Sequence, residues 1–595
     1  MKRLWTTLSL LAPFWAAGAL QGAAPAVTTL YPAGGRPGTT FPLTVTGAVG
    51  KPAPSVWADH AGITFKPGAK PNVFEVSLAA DTPPGPHLVR FFNAEGASVP
   101  RTFIVGTASV AEVTDTEPND DAHTAAQALA ALPVTVNGRL DKAGDADAFK
   151  FTAKEGQWLV AVLHGYGLGM QMDPAMRLLD EHGTELALGH DSHNLDPQIA
   201  YEIKKTGTYV VQVMSYAHPP AADVSLRGSL DHVYRLTITQ EPTPRLAWPP
   251  GVKRGAKSSV QSLGWNCGAG DFKGPVFEVD ATTAAPGAEF VGIMSSSPEP
   301  LRVALHDGET VLETEPNQTA KEAEANVLTP AGAVTWQGVL QTSGDEDRLM
   351  FATKKGETYV FKVASSSLHA PLDAWLRVEN LVGTLIGQAD DAKEGVFDPV
   401  LNWKAPVDGK FVLAISDRFQ RGGWNYVYQV QISPASAVPV RPVVLGTLAE
   451  NALKLEAGKT ADLKLTAAVT GEFKGKLMAS VTGLPAGVTV AEVEVPGKKG
   501  GEVTLKLAAT AEVVSFSGPV EVVLKTSPPD AAAEYKAVYD LRGVEPRGDR
   551  LVNEDSRLWL SVAGKPAAQE TQSASRETQE LKTQDTRPEV KGEAK

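Results

Sequence analysis

The sequence predicts an all-β, multidomain protein: tandem β-sandwiches of Ig-like and jelly-roll-like kind, ending in a disordered C-terminal tail. Three observations carry this. Segments such as "FKFTA", "WLVAVLHG" and "TYVVQVMS" are short and rich in branched or aromatic residues, and Gly, Asp or Pro bounds them. Gly (55) and Pro (43) are abundant without a collagen period, which marks frequent turns. Strand patterns are not alternated with long helical ones, so a parallel α/β sheet is not expected.

The N-terminus reads as a secretory leader over residues 1–26. Lys2 and Arg3 precede the apolar "LWTTLSLLAPFWAAGAL", and small residues follow to Ala26. No later segment has the roughly 18 unbroken apolar residues of a membrane span. The expectation is an exported chain, secreted or periplasmic or at the cell surface, with no transmembrane segment after leader cleavage. A net charge of −13 argues against nucleic acid as a partner and is compatible with cations. Cys267 is the one cysteine, so no intramolecular disulfide forms; it reads as a small buried residue.

A length of 595 residues implies about four domains of ordinary size, and an internal duplication fixes the plan. "EPNDD" at Glu117 returns as "EPNQT" at Glu315. "GDADAFKF" at Gly144 returns as "GDEDRLMF" at Gly344, and "GTYVVQV" at Gly207 as "GKFVLAI" at Gly409. "DP" at Asp196 returns at Asp398. "HVYRLTI" from His232 and "YVYQVQI" from Tyr426 close the copies. The preceding segments repeat too: "YPAGGRPG" at Tyr31 matches "WPPGVKRG" at Trp248. The expected order is a small sandwich at 27–107, a larger one at 113–240, then 245–310 and 312–434 as their repeats, and a fifth sandwich at 440–545, with linkers near 107–116 and 306–314. The remaining stretch, 546–595, has few large apolar residues and is expected to be disordered. One short helix is expected at "DDAHTAAQALA", capped by Asp120 or Asp121.

With these motifs in view, 113–240 and 312–434 resemble the bacterial pre-peptidase C-terminal domain, a β-sandwich of secreted peptidases and of non-enzymatic exported proteins. The resemblance rests on Glu-Pro-Asn at the opening, Gly-Asp-x-Asp before an aromatic-containing strand, and the late "TGTY" or "DGKF" strand start. The segments 27–107 and 245–310 more loosely resemble TIG-type immunoglobulin-like domains. The fifth, with "GLPAGVTV", resembles immunoglobulin-like domains that accompany some bacterial glycosidases.

Glu117, Asn119, Asp120, Asp145 and Asp147 are oxygen donors of the kind calcium takes. Alternation in an extended segment puts Glu117 with Asn119 and Asp145 with Asp147 on shared sides. The resemblance implies that these residues bind Ca2+, since some collagen-binding members of the family use equivalent acids. The second copy supplies Glu315, Asn317, Asp345 and Asp347, with Gln318 in place of Asp120. The lost carboxylate predicts a weaker second site. The alternative is that these acids only cap turns.

Other constellations weigh less. His190, Asp191, His193 and Asp196 contain zinc-type ligands, but the second copy lacks both histidines, so chance histidines in a loop are the preferred reading. No HExxH or GxSxG occurs. "RGD" at Arg547 is too short to be specific. Trp248, Trp265, Trp375 and Trp424 are stacking-platform candidates, with core or edge packing the commoner role. The function expected is binding or adhesion to an extracellular polymer, envelope component or partner protein, without catalysis. The alternatives are a secreted hydrolase or its accessory subunit, or a passive spacer.

Overall fold

In a computed structural model, residues 23–566 are described, apart from 193, 220, 269, 286, 296–298, 325–326, 329–331, 394, 438–442, 472, 530–531 and 543–548. The leader therefore lies largely outside the described residues. The described part is nearly all β, with more than half of the residues in strands. Among the described residues no helix is long and apolar enough to cross a membrane.

The strands assort into stacked sheet pairs. The first pair, within residues 26–105, has four main strands in each sheet. The second, within residues 111–239, has five in each. The third has three in each, and the fourth again five in each, with strand order identical to the second. Strand order and register, not only motif spelling, are therefore duplicated. Alternation explains the layering. The strand Asp147–Ala153 buries Phe149 and Phe151 while Lys150 and Thr152 face solvent. Its counterpart Glu346–Thr353 buries Leu349 and Phe351.

Three expectations need correction. Residues 107–116 and 306–314 are not simple linkers. Ala111–Thr114 pairs in parallel with Val134–Arg139, and Glu309–Leu312 pairs likewise with Val334–Val339. Each is the edge strand of the larger sandwich that follows. Second, "DDAHTAAQALA" forms a single turn, not a helix. Asp121 Oδ1 accepts from His123 N (2.8 Å) and Thr124 N (3.0 Å), and then Gln127–Ala128 joins the sheet edge beside Phe149–Lys150. Ala122 and Ala126 pack on Ala148, Leu179 and Val210, so sheet packing overrides the local alanine preference. In the second copy Ala320–Ala323 is helical, started by a Thr319/Glu322 capping box.

Third, the stretch 546–595 is not wholly a tail. Arg557–Ala563 is a strand of the fifth sandwich. It lies between Ala452–Glu456 and Phe516–Thr526, and it buries Leu558, Trp559, Leu560 and Val562. Its composition is apolar enough, but it was masked by the polar residues around it. Residues 567–595 lie outside the described residues.

Trp559 also joins the last sandwich to the first. Its ring meets Phe92 at 4.8 Å and Trp57 at 6.0 Å. Beside it the fully buried Arg90 donates to the Asn451 carbonyl (3.0 Å) and to the Tyr539 hydroxyl. Asp59 faces Arg557 at 3.4 Å, and Glu95 pairs with Lys454 at 2.8 Å. Neighbouring sandwiches are also fastened. Asn266 exchanges two hydrogen bonds with the backbone of Trp158, and Gln337 does the same with Gly251. Cys267 is buried in the third sandwich, and burial raises its thiol pKa.

Replacing Trp559 by Ala is expected to cost about 3–5 kcal/mol. A denaturant melt of the full chain should show an earlier unfolding step for the fifth sandwich. An unchanged melt would mean that the strand is not integral to that domain.

Candidate metal centre

The Gly-Asp-x-Asp loop comes first. Gly144 (φ +85°) and Gly344 (φ +82°) supply left-handed turns. The following aspartate then reaches back to clamp its own loop. Asp145 Oδ2 accepts from Asp141 N (2.5 Å), and Asp345 Oδ2 from Gln341 N (2.6 Å). Two residues on, Asp147 opens its inner strand and Asp347 is the second residue of its own, and both are fully buried.

Each of these carboxylates is met by a tyrosine from the closing strand. Tyr234 donates to Asp147 Oδ2 (2.5 Å) and Tyr428 to Asp347 Oδ2 (2.7 Å). A glycine makes room for each ring. A Cβ at Gly138 would stand 2.1 Å from Tyr234 Cζ, and one at Gly338 would stand 2.2 Å from the Tyr428 hydroxyl. Of the other carboxylate oxygens, Asp347 Oδ1 is buried without a hydrogen-bond partner, while Asp147 Oδ1 meets the Asn119 amide at 3.1 Å.

The domain opening closes over these oxygens. The segment bends at Glu117 and at Glu315 and is not the extended one expected; Glu117–Pro118 and Glu315–Pro316 are cis in both copies. The pairs converge nonetheless. The Asn119 amide stands 3.2 Å from Glu117 Oε1 and 3.1 Å from Asp147 Oδ1, and it is fully buried. With its nitrogen toward them it donates to both carboxylates. With its oxygen toward them, three oxygens face one point, and a cation or a carboxyl proton would reconcile them. In the second copy Asn317 Oδ1, Glu315 Oε1 and Asp347 Oδ1 are all buried and unpartnered.

Of the predicted residues, Glu117, Asp120 and Asp145 bring one oxygen each within 4.8 Å of one another, and Glu117 with Asp147 also forms a group with Asp115. In the second copy Glu313, Glu315 and Asp347 group in the same way. Asp345 is drawn aside, because Gln318 Nε2 donates to its Oδ1 (2.9 Å).

Sequence reasoning missed Asp115 and Glu313. The signal was present, since the repeat extends upstream as "DTEPN" and "ETEPN". Each accepts a backbone N–H, from Arg139 (2.9 Å) and Val339 (2.8 Å) respectively. Tyr31 of the first sandwich also donates to Asp115, and Arg139 covers the Tyr31 ring at 4.5 Å. The first centre thus includes a group from the preceding domain.

The charge comparison also changes. Lys142, present only in the first copy, stands 3.4 Å from Asp120 Oδ2 and 3.1 Å from Asp145 Oδ1. Thr342 follows Gln341 in the corresponding loop. The extra carboxylate of the first copy therefore arrives with its own countercharge, and the argument for a tighter first site loses its basis.

Burial, with nearby Asp115, Asp145 and Glu117, raises the Asp147 carboxyl to about 9 despite the tyrosine bond. Burial and the adjacent Glu313 raise Asp347 as well. Glu117 and Glu315 are also raised, first by desolvation and then by Asp145 and Asp345. Such sites favour either a proton or a metal ion. The donors are all oxygen, which suits a hard cation and not a thiolate or imidazole metal.

The remaining candidates have other places. Asp196 accepts three backbone N–H bonds, from Gly165 (2.9 Å), Tyr166 (2.7 Å) and Gly167 (2.7 Å). Asp398 repeats this with Ser365, Ser366 and Ser367. The duplicated "DP" is therefore a loop clamp. His193 lies outside the described residues. Trp424 stacks on Phe272 at 5.0 Å and meets Trp265 edge-on at 5.4 Å, and Trp248 packs in the same cluster. Trp375 is covered by Arg377 and Arg418. Arg547 and Gly548 lie outside the described residues, while the Asp549 carbonyl accepts from Asn194 Nδ2 (2.7 Å).

No family model matches the chain, and no curated protein does. Among solved structures, an α-2-macroglobulin from Salmonella reacted with methylamine is similar at 9% identity and TM-score 0.15. The match covers 93% of this chain and 48% of that one. Fibronectin(III)-like modules of CbhA from Clostridium thermocellum give 13% identity and TM-score 0.11, covering 43% and 94%. Domains 1–6 of the surface layer protein SbsC give 10% identity and TM-score 0.12, covering 89% and 58%. Likenesses this small carry no functional argument.

A pH test follows from Asp147. Its native pKa of about 9 lies above the ordinary 3.8. Between those values the cation-free native state holds a proton that the unfolded chain has released. Stability should then fall as pH rises through that window. Asp147→Asn should flatten the fall in chelator-treated protein, as read by thermal melts from pH 5 to 9. An equally steep profile in the variant would show that Asp147 is not the titrating group.

Proposed function

We propose that this chain is an exported, non-catalytic modular binding protein. Its two larger sandwiches are of the pre-peptidase C-terminal kind, and each holds one calcium ion at its opening. The cation ties the Glu-Pro-Asn segment to the buried aspartate of the inner strand. It thereby stiffens the surface offered to an extracellular polymer, envelope component or partner protein.

One observation carries this reading. The acidic group at each opening buries carboxylate oxygen that has no hydrogen-bond partner: Asp120 Oδ1 in the first copy, and Glu315 Oε1 and Asp347 Oδ1 in the second. Leaving a buried polar atom unpaired costs about 1–3 kcal/mol. Duplication of that cost in both copies is what ion binding explains. An all-oxygen donor set fits calcium, which takes six to eight oxygens and accepts irregular geometry. The leader-like N-terminus supports export.

Calorimetric titration of the full chain should show two calcium equivalents of similar affinity. Asp147→Asn and Asp347→Asn should each remove one. Lys142→Thr should tighten the first site a few-fold, because it frees Asp120 and Asp145 from their lysine. No calcium heat in the wild type, or two equivalents surviving in both aspartate variants, would overturn the proposal.

A further inference from the structure

A second kind of metal site lies at another corner of the second sandwich. Asp173 opens the strand Asp173–Asp180 and is 6% exposed. Its Oδ1 is buried and accepts no hydrogen bond. His190 ends the neighbouring strand Glu185–His190, and its Nε2 stands 3.3 Å from that oxygen. Asp191, next in the chain, completes a group whose ligand atoms lie within 4.8 Å of one another. Two residues beyond the adjoining strand Gly207–Tyr216, His218 acts electrostatically on Asp173, and its Nδ1 is buried with no hydrogen-bond partner.

The second copy provides an internal control. There the corresponding corner holds Asp373, Asp390 and Asp391. Strand register places Tyr216 opposite Asp173, and it places Arg418 at the matching position beside Asp373. Arg418 approaches Asp390 at 3.7 Å, and Arg421 pairs with Asp417 through two contacts of 2.9 Å. The second copy thus meets its clustered acids with built-in guanidinium charge. In the first copy Tyr216 and Ser215 stand at the positions of Arg418 and Asp417, and His190 stands where the second copy has Asp390.

We propose that the first copy binds a transition-metal dication, zinc by its ligand chemistry, through Asp173, His190 and Asp191, with His218 as an additional donor. Zinc takes imidazole nitrogen and carboxylate oxygen at about 2.0–2.1 Å, and a tetrahedral arrangement then spaces neighbouring ligand atoms about 3.3 Å apart. The Asp173–His190 separation has that value. A buried carboxylate oxygen and an imidazole nitrogen at this separation have the spacing of two ligands of one ion. The mixed nitrogen and oxygen donors separate this corner from the all-oxygen centres at the domain openings.

The test is zinc titration of the chelator-treated full chain in excess calcium, followed by calorimetry and by the visible spectrum of the cobalt-substituted protein. One zinc equivalent is expected, with a four-coordinate cobalt spectrum. His190→Ala should abolish both while leaving the metal-free melting temperature unchanged, since this side chain is 41% exposed. His218→Ala should weaken binding and shift the cobalt spectrum. No zinc uptake by the wild type would overturn the proposal. So would uptake that calcium displaces, or uptake that His190→Ala leaves intact.

Discussion

The larger sandwiches depend on a carboxylate that is out of reach of water. Asp147 and Asp347 sit at the start of an inner strand, between two sheets and against a tyrosine hydroxyl. An ionised carboxylate there is costly unless charge or hydrogen bonds meet it. Much of the local design answers that cost. The glycine opposite makes room for the tyrosine ring, the domain opening folds over the second carboxylate oxygen, and the edge strand delivers Asp115 or Glu313 beside it. The same constraint links stability to occupancy, because whatever neutralises the carboxylate also closes the opening.

The two copies show how one framework accommodates different countercharges. At the opening, the first copy adds both Asp120 and Lys142, while the second replaces the acid with Gln318, which bonds Asp345 directly. At the far corner the direction is reversed. Arginines satisfy the acids of the second copy, and histidines face those of the first. A shared backbone with exchanged charge partners is how a duplication diverges without disturbing its core.

The fold class was legible because alternation and turn residues act locally. The duplication was legible because motif order survives in sequence. Contacts made across the fold were not. Asp115 and Glu313 looked like the end of a linker, since nothing nearby reveals that the preceding residues form a parallel edge strand. Lys142 looked like an ordinary turn residue, and its effect on Asp120 appears only once the loop is closed. The strand around Trp559 was hidden by its polar flanks, because strand propensity there is decided by burial between two partners. The alanine-rich turn at 121–126 failed as a helix for the same reason: packing onto Ala148 and Val210 outweighs propensity.

The contact around Arg90 and Trp559 has a mechanical consequence. Tension applied between the first and last sandwiches would not run serially through the three between them. It would fall first on a guanidinium and three packed aromatic rings, which act as a clasp. Until that clasp opens, the intervening modules carry little load, and the molecule behaves as a buckle rather than a cord.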